Sequence, residues 1–210
     1  MNVEQMRNEK AAKVVVKNLK ARHFDAYYCT TKEEAKDLVL SLIPESDTVG
    51  WGGSMTIDAL GVKDELRKRG QTLFDRDTCK PEERMDMFKK SLTAGTFLTG
   101  TNAITETGEL INVDGTGNRV AAIAFGPDSV IVVTGMNKLV KNVMDGAARA
   151  RNLAAPINAA RFGNPTPCVE TGCCADCLSE KSICNVIVRT RMSKPAGRIK
   201  VVLIGENLGF

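Results

Sequence analysis

Five of the seven cysteines fall within seventeen residues: Cys168, Cys173, Cys174, Cys177 and Cys184. Thiolates are strong metal ligands, and Cys174-Ala175-Asp176-Cys177 is a C-x-x-C pair whose tight turn sets two sulfurs on one side of a metal. Cys168 precedes the pair by six residues and Cys184 follows it by seven, with Pro165, Pro167 and Gly172 shaping the backbone around them. Four thiolates delivered by one short loop suit a Zn²⁺ ion or a cubane. Structural zinc sites usually present two C-x-x-C knuckles and this loop has one. The pattern therefore favours an iron–sulfur cluster of the 4Fe–4S kind, with zinc as the alternative. A thioredoxin-like redox pair is a weaker reading, because it would sit at a helix start after a strand and would need no further cysteines. One metal ion rarely takes adjacent residues, so either Cys173 or Cys174 is surplus. Cys29, in a strand, reads as core, and Cys79, in a charged loop, as incidental.

Two glycine-rich loops point to a second chemistry. In Val49-Gly50-Trp51-Gly52-Gly53-Ser54-Met55-Thr56, a strand passes into a helix through Gly50, Gly52 and Gly53. Backbone N–H groups at such a turn are a seat for phosphate or carboxylate, to which Ser54 and Thr56 add hydroxyls. The loop is neither G-x-G-x-x-G nor a Walker loop. The second loop contains Asn112, Asp114, Gly115, Thr116, Gly117, Asn118 and Arg119. Arg119 has the planar fork that holds a carboxylate bidentately. Each loop alone also reads as a tight turn with a capping side chain. Together they reinforce one another, because open α/β sheets bind ligands beyond the carboxyl ends of their strands.

The elements that must carry these loops alternate along the chain. Helical spacing over 3–22 precedes a strand at Asp25–Cys29, and Thr31 then caps a helix ending near Ile43. A strand at 48–51 leads into a helix over Met55–Arg69, broken or bent around Gly61. Gln71–Phe74 is a strand, and Pro81 opens a helix to about Thr93. A strand at Thr96–Gly100 is followed by a hairpin over Ala103–Asp114. Ser129–Thr134 is almost continuously apolar, as expected when helices cover both faces. A helix over Lys138–Asn152, a short helix after Pro156, the cysteine loop at about 163–185, and strands at Asn185–Arg191 and Arg198–Ile204 complete the order. This alternation predicts an α/β fold: an open, mostly parallel sheet flanked by helices, with a small β-hairpin element. One domain over 1–210 is expected, the cysteine loop being a graft upon it.

Composition narrows the functions. Apolar residues at 43% and charged residues at 26%, of both signs, describe a globular protein. A net charge of +4, with two Tyr and one Trp, gives no basic, aromatic-lined groove for nucleic acid. The charged stretch from Met1 to Lys20 has no signal-peptide apolar region, and no apolar run reaches the roughly 20 residues of a spanning helix. A cytoplasmic protein without membrane insertion is expected, its cysteines reduced. The only histidine, His23, falls at a helix end and reads as a solvent-facing cap, which nearly excludes histidine chemistry.

The segments Gly50–Thr56, Glu109–Arg119 and Thr166–Asn185 together resemble the LUD-domain family, which includes the third component of the bacterial lactate-utilisation system. The resemblance covers about residues 5–205. It implies a fold similar to the ribose-5-phosphate isomerase, glucosamine-phosphate deaminase and CoA-transferase group. It aligns the family's cysteines with Cys168, Cys174, Cys177 and Cys184, making Cys173 the extra one, and it marks a single-domain, cysteine-containing subgroup. It supplies no catalytic residue; Glu106 and Glu109 lie where the CoA-transferase group places a carboxylate, by region only. The function implied is a component of L-lactate oxidation to pyruvate, or of a related small-carboxylate redox system, with iron–sulfur partner subunits. A stand-alone isomerase or CoA-transferase-type enzyme acting on a phosphorylated or thioester substrate, with a structural metal, is the first alternative. A non-catalytic accessory subunit is the second.

Overall fold

Ser129–Gly135 is nearly continuously apolar because both faces of the strand are buried. Val130 and Val132 pack on one side with Leu19, Phe24, Phe97 and Val201, while Ile131 and Val133 pack on the other with Val39, Ile57, Leu66 and Leu98. This strand lies inside the principal sheet of a computed structural model that describes residues 3–210.

In chain order the strands are β1 (Asp25–Cys29), β2 (Val49–Trp51), β3 (Leu73–Phe74), β4 (Thr96–Gly100), β5 (Ala103–Thr105), β6 (Leu110–Asp114), β7 (Ser129–Gly135), β8 (Leu139–Val140), β9 (Val186–Thr190) and β10 (Ile199–Ile204). The helices are α1 (Val3–Ala21), α2 (Lys32–Ser41), α3 (Met55–Leu60), α4 (Val62–Lys68), α5 (Arg84–Ser91), α6 (Asn118–Ala124), α7 (Val143–Arg149), α8 (Ala155–Phe162) and α9 (Pro167–Thr171). The principal sheet has the order β1-β10-β7-β4-β2-β3, and every pairing in it is parallel. Buried residues of α1 and α6 cover one face, and those of α2, α3 and α4 cover the other.

Local chemistry accounts for the boundaries. Thr31 Oγ1 accepts from Glu34 N and starts α2, and Ser54 Oγ accepts from Ile57 N and starts α3. Gly61, at φ 68°, separates α3 from α4 in a left-handed conformation that suits glycine. His23 is exposed just past α1 with φ 64°, the cap expected of it.

Three expectations change. The hairpin is half of a second, four-stranded sheet, β8-β5-β6-β9. Residues 138–140 do not begin a helix: Met136–Lys138 forms a 3-10 turn and Leu139–Val140 pairs parallel to β5. The helix waits for Asn142, whose Oδ1 accepts from Met144 N and Asp145 N. From there α7 and α8 form one rod joined by a π turn at Ala150–Ala154, rather than two helices separated by a break. Pro156 lacks an N–H and its ring would strike the carbonyl four residues back, and the wider turn absorbs both faults. β9 joins the small sheet, antiparallel to β6, with an alternately half-buried and exposed pattern suited to one covered face.

Ile131 is fully buried at the centre of the principal sheet. Ile131→Ala should cost about 3 kcal/mol in transfer and cavity terms. The check is a urea titration with a lowered midpoint and unchanged slope. A loss below about 1 kcal/mol would contradict burial on both faces.

Candidate functional site

The carboxyl ends of β2, β4 and β7 open into one cleft of about 910 Å³, counting its mouth. Gly53, Ser54 and Met55 line it after β2, Gly100 to Asn102 after β4, and Lys138 after β7. The second sheet closes the opposite wall with Val113 to Thr116, Asn118 and Arg119, so both glycine loops border the same space.

Arg119 joins the walls. Its Nη1 donates to Gly100 O (3.1 Å) and Asn112 Oδ1 (2.6 Å), and its Nη2 to Asn102 Oδ1 (2.9 Å) and Val113 O (2.7 Å). Asp114 Oδ2 stands 3.8 Å from Nε and also accepts from Arg119 N and Val120 N at the start of α6. With four acceptors on its Nη groups, this fork is occupied by the protein. It positions loops instead of presenting itself to a carboxylate, as its position in the sequence suggested. The close backbone approach at Gly52 serves the same contact, since a Cβ there would lie 3.0 Å from Arg119 Cδ.

Other predicted residues divide similarly. Gly53, Ser54, Asp114, Gly115, Thr116, Asn118 and Arg119 border the cleft. Gly50 is packed against Ser91, and Asn112 is fully buried beneath Arg119, its Nδ2 without a hydrogen-bond partner among the described residues. Thr56 is also buried; its Oγ1 donates to Leu208 O and accepts from Lys138 Nζ at 3.1 Å. Gly117, at φ 85°, precedes α6. Glu106 pairs with Lys141 at the surface, and Glu109 is buried against Arg189 and Arg22. Burial opposes the Glu109 charge, but the Arg189 hydrogen bond, with help from Arg22 and Thr107, outweighs it and lowers the pKa. Neither glutamate borders the cleft, so the suggested hairpin carboxylate has structural work.

The cations facing the cleft are ones that sequence patterns did not single out. Asp77, held by Trp51 Nε1 (2.9 Å) and Lys63 Nζ (2.6 Å), anchors the segment that carries Arg76. Arg76 stacks 4.7 Å over the Phe88 ring. Its Nε is buried without a hydrogen-bond partner among the described residues, and its nearest carboxylate, Asp77, is 3.8 Å away. Burial first, then the nearby charges of Arg84 and Arg161, lower its pKa. Arg161, on α8, converges from the other side: a Cβ on Gly53 would lie 3.4 Å from Arg76 Nη1 and 3.8 Å from Arg161 Nη2. Lys138 adds an amine that is 4% exposed. Burial, followed by the charges of Arg149 and Arg119, pushes its pKa down to about 7. With Arg119 engaged by the protein, Arg76, Arg161 and Lys138 face the cleft against one carboxylate, Asp114, which gives this space an excess of basic groups. The available signal was position: Lys138 and Asn102 lie just beyond strand ends.

The cysteine loop packs directly on this cleft. Ile183 borders it, a Cβ on Gly115 would lie 3.1 Å from Ile183 Cα, and Asn185 Nδ2 donates to Gly115 O. Burial and then the thiols of Cys174, Cys168 and Cys177 raise the pKa of Cys184. Cys173 is exposed, and Cys168, Cys174, Cys177 and Cys184 are partly buried. Arg151, projecting from the π turn, pairs with Asp176 and reaches Cys174 Sγ at 3.8 Å. Asp176 adopts φ 51°, which tightens the C-x-x-C knuckle. The donor set fits a four-thiolate group in kind and number. Among the described residues, however, no group of three or more His, Cys, Asp or Glu is arranged to hold a metal ion, so the loop offers donors, not a finished coordination shell. Cys29 is buried in the core and Cys79 donates to Arg76 O.

The family model described as the LUD domain matches residues 12–204. A solved DUF162 family protein from Deinococcus radiodurans is similar over 94% of this chain and 98% of its own, with 14% identity and a TM-score of 0.54, which shows the fold. The delta subunit of eIF2B from Chaetomium thermophilum matches over 57% of this chain and 54% of its own, with 17% identity and a TM-score of 0.38. A search of curated proteins finds no match.

Arg119→Lys should lower stability by at least about 2 kcal/mol, since a point charge cannot serve four acceptors held in a plane. Arg161→Gln should leave the melting temperature nearly unchanged and weaken phosphate or lactate binding about tenfold, measured by calorimetry. Equal effects of the two changes on binding and stability would contradict this division. For Lys138, the folded pKa of about 7 lies below the ordinary 10.5, so the unfolded chain binds more protons between those values. The group's contribution to stability must rise with pH across that window and be least favourable at and below pH 7. Melting curves should show any advantage of Lys138→Met over the native chain shrinking from pH 7 to pH 10.

Proposed function

The chain belongs to the LUD-domain family, and on that premise we propose that it binds a small carboxylate or phosphorylated ligand within a cytoplasmic redox system of the lactate-oxidising kind. One observation carries the reading: a cleft rich in underpaired cations is bordered by Ile183, which stands next to Cys184 in the cysteine-rich loop, and Asn185 of the same loop donates to Gly115 O at the cleft's edge. Arg76 and Arg161 have the charge and reach to hold the ligand's anionic group, while backbone and side chains of 100–102 and 114–118 shape the remaining space. Oxidation of a 2-hydroxy carboxylate such as L-lactate releases two electrons and two protons. Cys168, Cys174, Cys177 and Cys184 would hold an iron–sulfur cluster, which supplies one-electron transfer when bound. Zinc in the same donors would brace the loop instead.

Free cysteines throughout support a reducing compartment. Among the described residues no helix is long and apolar enough to cross a membrane. Arg151 beside Cys174 supplies the charge near sulfur that tunes such a group. Iron–sulfur partner subunits would receive the electrons, and the chain's own part is to place the ligand beside the cysteine loop.

Protein purified anaerobically should be brown, with broad visible absorption that bleaches on reduction, and should contain iron and sulfide. Cys174→Ser should lose the metal, while Cys173→Ser should retain it. A colourless protein with stoichiometric zinc would remove the redox role and keep the ligand set; metal loss on changing Cys173 would overturn the ligand set.

A further inference from the structure

Lys138 stands beyond the end of β7, where it borders the cleft and is 4% exposed. Among the described residues its Nζ has one hydrogen-bond partner, Thr56 Oγ1 at 3.1 Å. That hydroxyl already donates to Leu208 O, so it can only accept from the amine. A neutral amine held in this way keeps its lone pair unengaged. Among the described residues no carboxylate pairs with Lys138, and the charged groups facing it are both cations, Arg119 from α6 and Arg149 from α7. Gly209 passes close by, where a Cβ would lie 3.2 Å from Nζ, so the segment after β10 closes one side of the amine.

A lysine serving only stability either reaches solvent or meets a carboxylate. One that is desolvated and set beside other cations has the environment of a nucleophile. We propose that Lys138 is a carbonyl-reactive amine, forming an imine with the oxo group of a ligand whose carboxylate or phosphate rests on Arg76 and Arg161. The amine nitrogen adds to the carbonyl carbon to give a carbinolamine. Loss of the carbinol oxygen as water, with the two amine protons, leaves a C=N bond; no electrons are transferred and no oxidant is required. Thr56 acts as a positioning residue through its contact with Nζ. The inference rests on the reading of the cleft as an anion site and deepens it by naming the ligand class: small oxo-acids or oxo-phosphates.

The test is reductive trapping on the native protein near pH 7, with sodium cyanoborohydride and either pyruvate or dihydroxyacetone phosphate, followed by peptide mass mapping. The two compounds distinguish a carboxylate from a phosphate as the anchor. With at least one of them, Lys138 should be labelled at least about tenfold more than the average exposed lysine, because near pH 7 its neutral fraction far exceeds theirs. Inorganic phosphate should compete, and Lys138→Met should lose the adduct. Labelling that follows exposure and spares Lys138 with both compounds would overturn the inference. Calorimetry separates the causes of failure: binding without an adduct removes the imine and leaves the anion site, whereas absence of binding by both compounds removes the anion site as well. The native peptide map decides the matter even if the methionine variant folds poorly.

Discussion

The Arg119 guanidinium holds two sheets at one spacing. Its hydrogen bonds run to Gly100 at the end of β4 and Asn102 just beyond it, and to Asn112 and Val113 on β6, while Gly52 lies against its aliphatic stem. A buried arginine is expensive to desolvate, and only a complete set of acceptors offsets that cost. The acceptors come from the end of β4, the turn after it and β6, so the geometry is satisfied only when the principal sheet and the small sheet are docked. The cleft borders this junction, and Arg119 hydrogen-bonds to both of its walls.

Around that gap the charge balance is deliberately uneven in sign. Asp77 is spent on Trp51 and Lys63, Glu109 on Arg189 and Arg22, and Glu106 on Lys141. Asp114 is directed at backbone donors of α6. Arg76, Arg161 and Lys138 are thus left facing a partly enclosed space with little internal neutralisation. Such clefts focus field lines and attract anions. The burial and the neighbouring cations that make Lys138 costly to protonate come from the same packing.

The cysteine loop is bound to this arrangement from two directions. Arg151 ties its knuckle to the π turn of the α7–α8 rod, and Asn185 and Ile183 tie its far end to the second glycine loop. Cys184 packs beneath the small sheet with Ile111, Val113 and Ala150. Changes at the loop are therefore mechanically adjacent to changes at the cleft, through packed side chains and not through a flexible tether.

Much was legible in the residue order. The period-two split of Val130 and Val132 from Ile131 and Val133, the caps at Thr31 and Ser54, and the left-handed break at Gly61 are local, so their signals lie in neighbouring residues. The four-cysteine pattern and the two glycine turns were local in the same sense. Less was legible where partners are distant. The extent of the small sheet depends on β8 and β9 finding β5 and β6, and Leu139–Val140 carries too short a pattern to announce a strand. Arg119 could be picked out as a fork, but whether that fork faces a ligand or four protein acceptors is decided by residues between 6 and 19 positions away, brought together by two different sheets. Arg76, Lys138 and Arg161 belong to no motif, and each would be an ordinary surface cation on an isolated helix or loop. Sequence determined the elements, most of their order and the clustering of cysteines and glycines into short loops, because propensity and periodicity act over a few residues. The tertiary structure alone decided which cations remain unpaired around a shared cleft, because desolvation and charge pairing depend on what folding brings near.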